Sequence, residues 1–165
     1  MYERNILVRI LDRDNLNAAY EQVRRNKGVA GIDGMTTDEI GVYLLRNKEE
    51  MITEIRQRKY QPSPVLRVEI PKPNGGVRLL GIPTVKDRVI QQAISQVLTP
   101  IFDKHFSEYS YGFRPNRQAQ MAITQALEFF NEGYDWIVDI DLERFFDTVH
   151  HDRLMNLVAR TIPDG

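Results

Sequence analysis

The densest run of residues able to do chemistry is Trp136-Ile137-Val138-Asp139-Ile140-Asp141-Leu142-Glu143-Arg144-Phe145-Phe146-Asp147. In an extended segment side chains alternate faces, which puts Asp139 and Asp141 on one face about 6 to 7 Å apart. Carboxylates at the exit of an apolar strand are costly unless hydrated, paired or bound to a cation, and two-metal phosphoryl transfer needs such oxygens on a rigid element. The competing meaning is ordinary, since strands often end in Asp where a loop begins. A doubled Asp followed by two aromatics and a third Asp leaves both readings open.

A second candidate is Pro71-Lys72-Pro73-Asn74-Gly75-Gly76-Val77-Arg78, where two cations flank a tip with little side-chain bulk. Such a tip can fold over a triphosphate, Lys acting as a point charge and Arg as a bidentate donor. A solvated hairpin with Lys and Arg for solubility fits the same residues. A third is Gly28-x-x-Gly31-x-x-Gly34, which is neither a Walker A nor a dinucleotide fingerprint, because no Lys-Ser/Thr follows and no strand precedes it. It is either a loop whose backbone can approach a nucleic-acid strand or a plain helix connector. His105, His150 and His151 show no metal-ligand spacing and read as surface or core polar residues. With no cysteine there is no thiol nucleophile, no Cys-ligated zinc and no iron–sulfur cluster.

The elements that must position these groups follow from periodicity. Leu16, Ala19, Tyr20 and Val23 predict a helix over 15–25 with Asp14 as its N-cap. Thr36 and Glu39 form a capping-box pattern that opens a helical stretch to about Lys59, with a break expected near Asn47, and Pro62 and Pro64 end it. The alternation Leu66-Arg67-Val68-Glu69-Ile70, the Asn74-Gly75 pair and the run Val77 to Ile82 predict a β-hairpin with a primed turn. Thr84 and Asp87 can cap a helix whose apolar stripe runs from Val85 to Leu98 and stops at Pro100. Residues 110–117 are a loop, a helix follows through Ala119 to Phe130, a strand over Asp135–Asp141 carries the acidic run, and a last helix covers His151–Arg160. The class is α+β.

The 165 residues suit one domain or a little more, and 42% hydrophobic residues are enough to bury a core, which excludes disorder and collagen-like repeats. No apolar stretch approaches the roughly 18 residues of a membrane span, and the N-terminus lacks a signal-peptide block, so no membrane association and a cytoplasmic location are expected. The formal net charge of -1 argues against a polyanion partner only as a sum. Counted by segment it is -2 over 1–55, +7 over 56–117 and -6 over 118–165. Chance patchiness explains such a split, and so does a phosphate track beside a carboxylate metal site.

Five blocks in order resemble the reverse transcriptase/maturase proteins encoded by bacterial group II introns: Asn26-Lys27-Gly28-x-x-Gly31-Ile32-Asp33-Gly34; Arg67 to Thr84 with Lys72, Gly75, Gly76 and Arg78; Asp87-Arg88-x-Ile90-Gln91-Gln92-Ala93-Ile94; Tyr111-Gly112-Phe113-Arg114-Pro115; and Asp141-Leu142-Glu143-x-Phe145-Phe146-Asp147-x-Val149-x-His151-Asp152. The resemblance implies a right-hand polymerase, with an N-terminal extension and fingers over 1–100 and the first part of the palm, returning toward the fingers, over 101–165. It implies that Asp141 is the first catalytic carboxylate and a Mg²⁺ ligand, with the Leu142 carbonyl as a further metal contact. Lys72 and Arg78 match cations on the incoming dNTP, and Phe146 the aromatic gate against a ribose 2′-hydroxyl. RNA-templated RNA polymerases with this palm tend to carry an Asp at that spacing. Asn26, Lys27, Gly28 and Gly31 match a loop over the RNA template, and Arg114, Pro115, Asn116 and Arg117 a segment near the templating base. Asp139 fits no metal position of the family and is expected to be structural or to support a metal ligand from behind.

The family's Tyr-x-Asp-Asp turn, thumb and maturase domain have no counterpart in the 165 residues. One Asp cannot organise two Mg²⁺ ions, so the chain by itself is expected to be inactive as a polymerase, whether fragment, truncated product or cut segment. RNA, a DNA primer and dNTP are the implied partners of the intact enzyme. A non-catalytic RNA-binding piece and a retron-type or defence-associated reverse transcriptase remain as alternatives.

Overall fold

The computed structural model describes residues 6–73, 75–142 and 144–162. The chain divides into two compact units, Met1–Thr99 and Pro100–Pro163.

The first unit opens with α1 (Ile6–Ile10) and α2 (Arg13–Arg25). The cap of α2 is Asp12 rather than Asp14: its Oδ1 accepts from the Asp14 N–H at 2.9 Å and the Asn15 N–H at 3.4 Å. Two acids stand two residues apart, and the earlier one supplies the oxygen that the orphan N–H groups of the first turn need. Then comes α3 (Ile40–Arg56), preceded by the expected box in modified form. The Glu39 carboxylate accepts from the Thr36 N–H at 2.9 Å and hydroxyl at 2.8 Å, which holds its carboxyl below the usual range. The expected break at Asn47 does not occur, because its side-chain amide donates back to the Tyr43 carbonyl at 2.9 Å within a continuous helix. Arg58, at φ 58°, closes α3 with paired bonds from Arg58 N to Ile55 O and Lys59 N to Glu54 O, a Schellman arrangement without glycine.

β1 (Leu66–Pro71) and β2 (Val77–Ile82) form an antiparallel hairpin with Leu66 opposite Ile82 and Pro71 opposite Val77. The turn bond runs from Gly75 N to Lys72 O at 3.1 Å, and Gly75 and Gly76 take φ of 85° and 82°. Asn74 lies outside the described residues, but that bond puts Pro73 second in the turn, where its fixed φ belongs. The loop is thus longer than the expected two-residue Asn-Gly turn. α4 (Val85–Phe102) runs through Pro100 instead of stopping there, since a proline in the last turn forfeits one bond without breaking what precedes it. The core joins α2, α3 and α4 through Leu16, Ala19, Val23, Ile40, Ile52, Val85, Val89 and Ala93. Asn15 ties α2 to α4, donating to the Ala93 carbonyl at 3.1 Å and accepting from Gln96 at 2.8 Å.

The second unit contains a 3₁₀ turn (Asp103–His105), α5 (Ala119–Asn131), α6 (Phe145–Thr148) and α7 (His151–Thr161). The strand expected over Asp135–Asp141 is not formed. Among the described residues β1 and β2 make the whole of the sheet, and residues 134–142 have no neighbouring strand to bond. Alternation places side chains on two faces, but a strand exists only through its ladder. Trp136, Val138 and Ile140 are accordingly exposed. The α+β class stands, with its sheet confined to the hairpin.

Candidate functional site

In the first unit the hairpin register decides where the two cations stand. Ile70 pairs with Arg78 and Val68 with Leu80, so Arg78 shares a face with Val68, Ile70 and Leu80. The bond from Lys72 N to Gly76 O at 3.1 Å continues the ladder by one pair. Lys72 therefore falls on the same face as Arg78. Both are exposed, and neither strand has a buried residue. The tip presents two positive groups on one side, beside glycines with nothing within 4 Å of where a Cβ would lie.

The glycine loop is engaged with its own chain. A Cβ on Gly31 would sit 2.7 Å from Thr84 Cα, 2.8 Å from Thr84 N and 2.9 Å from Pro83 O, so this buried glycine permits two backbones to touch. A Cβ on Gly28 would meet Arg88 Nη1 at 2.5 Å. The Arg88 guanidinium donates through Nη2 to the Val29 carbonyl, and its buried Nε has no partner among the described residues. Asn26 and Lys27 are exposed at the end of α2, Lys27 in the left-handed region at φ 47°. Gln22 donates to the Asn26 side-chain oxygen at 2.9 Å.

At the foot of the hairpin lies a cluster that the sequence announces only in part. Thr84 and Asp87 form the expected cap, the Thr84 hydroxyl donating to Asp87 Oδ2 at 2.6 Å and accepting from the Asp87 N–H at 3.2 Å. The Ser63 N–H also donates to Oδ2 at 3.1 Å, and the Tyr60 hydroxyl to Oδ1. Burial first, and then Asp87 beside it, push the Tyr60 hydroxyl well above its ordinary value, so it remains a donor. Lys86 Nζ lies 5.1 Å from the Tyr60 ring centre.

In the second unit Arg114 is turned inward, its side chain 8% exposed. It donates to Asp103 Oδ1 at 2.7 Å, Asp103 O at 3.0 Å, Ser107 O at 2.6 Å and Ser110 O at 3.1 Å. The hydrogen bond from Arg114, reinforced by the charges of Arg114 and Arg117, holds the Asp103 carboxyl below the usual range. The bond from Arg117 N to Arg114 O makes Pro115 and Asn116 the corner of a turn, Asn116 taking the positive φ of 58° that a type II turn requires. Pro115 and Asn116 are exposed, and Arg117 lies 5.4 Å from the Tyr111 ring centre.

Asp139, Asp141 and Leu142 are exposed, and neither Asp has a partner among the described residues. Arg144 at φ 49° starts α6 and pairs with Asp147 at 3.4 Å. Phe145 and Phe146 meet edge to face at 5.5 Å, Phe146 being 89% exposed. His150 caps α7, its Nδ1 accepting from the Arg153 N–H at 3.4 Å. Among the described residues no three His, Asp or Glu side chains lie together as a metal would need. One carboxylate and one carbonyl do not amount to the near-octahedral oxygen set that Mg²⁺ demands, so the described residues alone do not fit a two-metal centre. No helix among them is long and apolar enough to cross a membrane.

The sequence profile described as "Reverse transcriptase (RNA-dependent DNA polymerase)" matches residues 70–164. Protein YkfC of Escherichia coli K12 is 40% identical over 139 residues, covering 82% of this chain and 36% of that protein. The group II intron-encoded protein LtrA of Lactococcus lactis is 33% identical over 94% of this chain and 26% of its own length. The putative COX1/OXI3 intron 1 protein of Saccharomyces cerevisiae is 31% identical over 97% of this chain and 19% of its own. The chain thus spans about a third or less of these curated relatives. A solved "Partial Cas6-RT-Cas1--Cas2 complex" contains a chain of like fold, with TM-score 0.55 and 24% identity over 94% of this chain and 25% of that one. With the profile covering more than half of the residues and intron-encoded proteins aligned along nearly all of them, the chain belongs to the reverse transcriptase (RNA-dependent DNA polymerase) family.

Proposed function

We propose that this chain is the N-terminal extension, fingers (1–100) and first palm segment (101–165) of an RNA-directed DNA polymerase of the group II intron type, working on an RNA template with a DNA primer and dNTP. The observation that carries the reading is the hairpin register, which supports Lys72 and Arg78 acting together from one face of an uncovered tip. In the reaction the primer 3′-hydroxyl attacks the α-phosphate of the dNTP and pyrophosphate leaves. Lys72 and Arg78 stabilise the negative charge on the departing phosphates. Asp141 and the Leu142 carbonyl would hold Mg²⁺ only together with further oxygen ligands, the ion supplying charge stabilisation at the phosphates, and Phe146 packs against the sugar. Asn26 and Lys27 meet the template RNA from a loop that Gly28 and Gly31 fix against Arg88, Pro83 and Thr84, as do Pro115, Asn116 and Arg117 on a tip that Arg114 holds from within. The exposure of Asp141 and its lack of a partner among the described residues support its availability as a ligand.

The test is primer extension by the full-length polymerase. Asp141→Asn abolishes DNA synthesis and leaves RNA affinity close to wild type. Synthesis near the wild-type rate would sink the assignment of Asp141.

A further inference from the structure

Both strands of the hairpin are exposed except at the foot, where Leu66 and Ile82 are half-buried, so no packed face along the arm fixes the direction in which it points. That direction is set where its two stems leave the helical body, and both stems converge on one carboxylate. Asp87, 2% exposed in the first turn of α4, accepts from the Ser63 N–H just before β1 and from the Thr84 hydroxyl just after β2. The Tyr60 hydroxyl, reaching from beyond the end of α3, fills the other oxygen. Three donors satisfy a carboxylate that burial would otherwise penalise. The stem after β2 is also wedged by the Gly31 backbone against Pro83 and Thr84.

We propose that Asp87 is a positioning residue for nucleotide binding: it clamps the two stems of the hairpin and thereby sets where Lys72 and Arg78 stand. The proposal rests on the reading of that hairpin as the triphosphate-binding element. Asp87 touches no reacting atom in this scheme. Its loss lets the hairpin sample other directions, which weakens dNTP binding while the chemistry of bound substrate stays the same.

Steady-state DNA synthesis by the full-length polymerase, with one dNTP varied, tests it. Asparagine offers one acceptor oxygen where three donors arrive, so Asp87→Asn raises the dNTP KM about tenfold and leaves kcat within about threefold. Tyr60→Phe and Thr84→Val each remove one donor and raise KM about threefold, and Thr84→Ser, which restores the hydroxyl, returns KM to near the wild-type value. In a Lys72→Ala/Arg78→Ala background, Asp87→Asn adds less than about twofold, because no cations remain to be positioned. If Asp87→Asn fails to fold, Tyr60→Phe and Thr84→Val carry the test. A fall in kcat with KM unchanged would overturn the clamp, as would an undiminished Asp87→Asn effect in the background without the cations. A raised KM in Lys72→Ala/Arg78→Ala with none in the three clamp variants sinks the clamp alone. An unchanged KM in Lys72→Ala/Arg78→Ala sinks the hairpin reading, and the clamp with it.

Discussion

Three glycines in one loop respond differently to the same added methyl group, and the difference can be worked out from what each methyl would meet. At Gly31 the new Cβ lands 2.7 Å from Thr84 Cα and 2.9 Å from Pro83 O, all backbone, so the loop or the stem after β2 must move. Overpacking of this kind costs about 1 to 3 kcal/mol, which for a chain of this length lowers Tm by about 3 to 10 °C. At Gly28 the obstacle is Arg88 Nη1 at 2.5 Å, the far end of a flexible side chain. Arg88 can swing aside and exchange its exposed bond to the Val29 carbonyl for bonds to water, which keeps the cost to about 1 kcal/mol or less. At Gly34 nothing lies within 4 Å, but φ is 72°, and an L-residue held there costs about 1 to 2 kcal/mol. Thermal unfolding followed by far-ultraviolet circular dichroism is the suitable assay, because the helices α2, α3 and α4 of the first unit dominate its signal. Gly31→Ala is expected to lose most and Gly28→Ala least. A Gly31→Ala protein with wild-type Tm would refute the close approach of the loop to Pro83 and Thr84, and Gly28→Ala losing more than Gly31→Ala would refute the ranking.

Three further outcomes follow from the geometry. Phe146→Ala in the full polymerase lowers discrimination between deoxy- and ribonucleotides by about tenfold or more, read as the ratio of kcat/KM for dNTP and rNTP; an unchanged ratio removes the gate role. RNA affinity conferred by the basic stretch 56–117 falls steeply with salt, with a log–log slope of magnitude about 3 for roughly four phosphates contacted on a single strand; a flat titration rejects a polyanion track. The Asp103 carboxyl sits below its ordinary value, so its pairing with Arg114 is fully present above the ordinary carboxylate pKa and is lost as pH falls through the lowered one. Proteolysis of 103–117 should therefore accelerate only in acid below the usual carboxylate range, and acceleration between neutrality and that range would contradict the sign.

Periodicity and capping patterns located α2, α3, the hairpin, α4, α5 and α7, because each is decided by neighbours within a few residues. The failures share a physical cause, which is dependence on residues far along the chain. The segment 135–141 alternates as a strand should, yet pairing is a property of two segments, and no described residue pairs with it. Arg114 matches a segment near the templating base in the sequence, and only the path of the chain from Asp103 to Ser110 turns carbonyls and a carboxylate inward to meet it instead. Thr84 and Asp87 are legible as a cap, whereas Tyr60 and Ser63, 27 and 24 residues before Asp87, carry no local sign that they share its oxygens. α1 is five residues long, too short for periodicity to register.

The same junction bears on what the motif blocks mean. Gly28 lies against Arg88, Gly31 against Pro83 and Thr84, and Thr84 against Asp87, so residues from three separate blocks touch one another. Such residues look like ligand contacts in a linear sequence because glycines, hydroxyls and charged groups are the vocabulary of binding sites. Here the methyl-sized spaces beside Gly28 and Gly31 are already filled by protein atoms, and three donors already occupy the Asp87 carboxylate. A template strand that meets this loop must therefore be read by its exposed residues, Asn26, Lys27, Val29 and Ile32. The glycines act one step behind, by fixing that surface to the stem of the hairpin. A single packed junction then couples the surface proposed for the template to the arm proposed for the nucleotide within the first unit, and Thr84 is the residue through which both contacts pass.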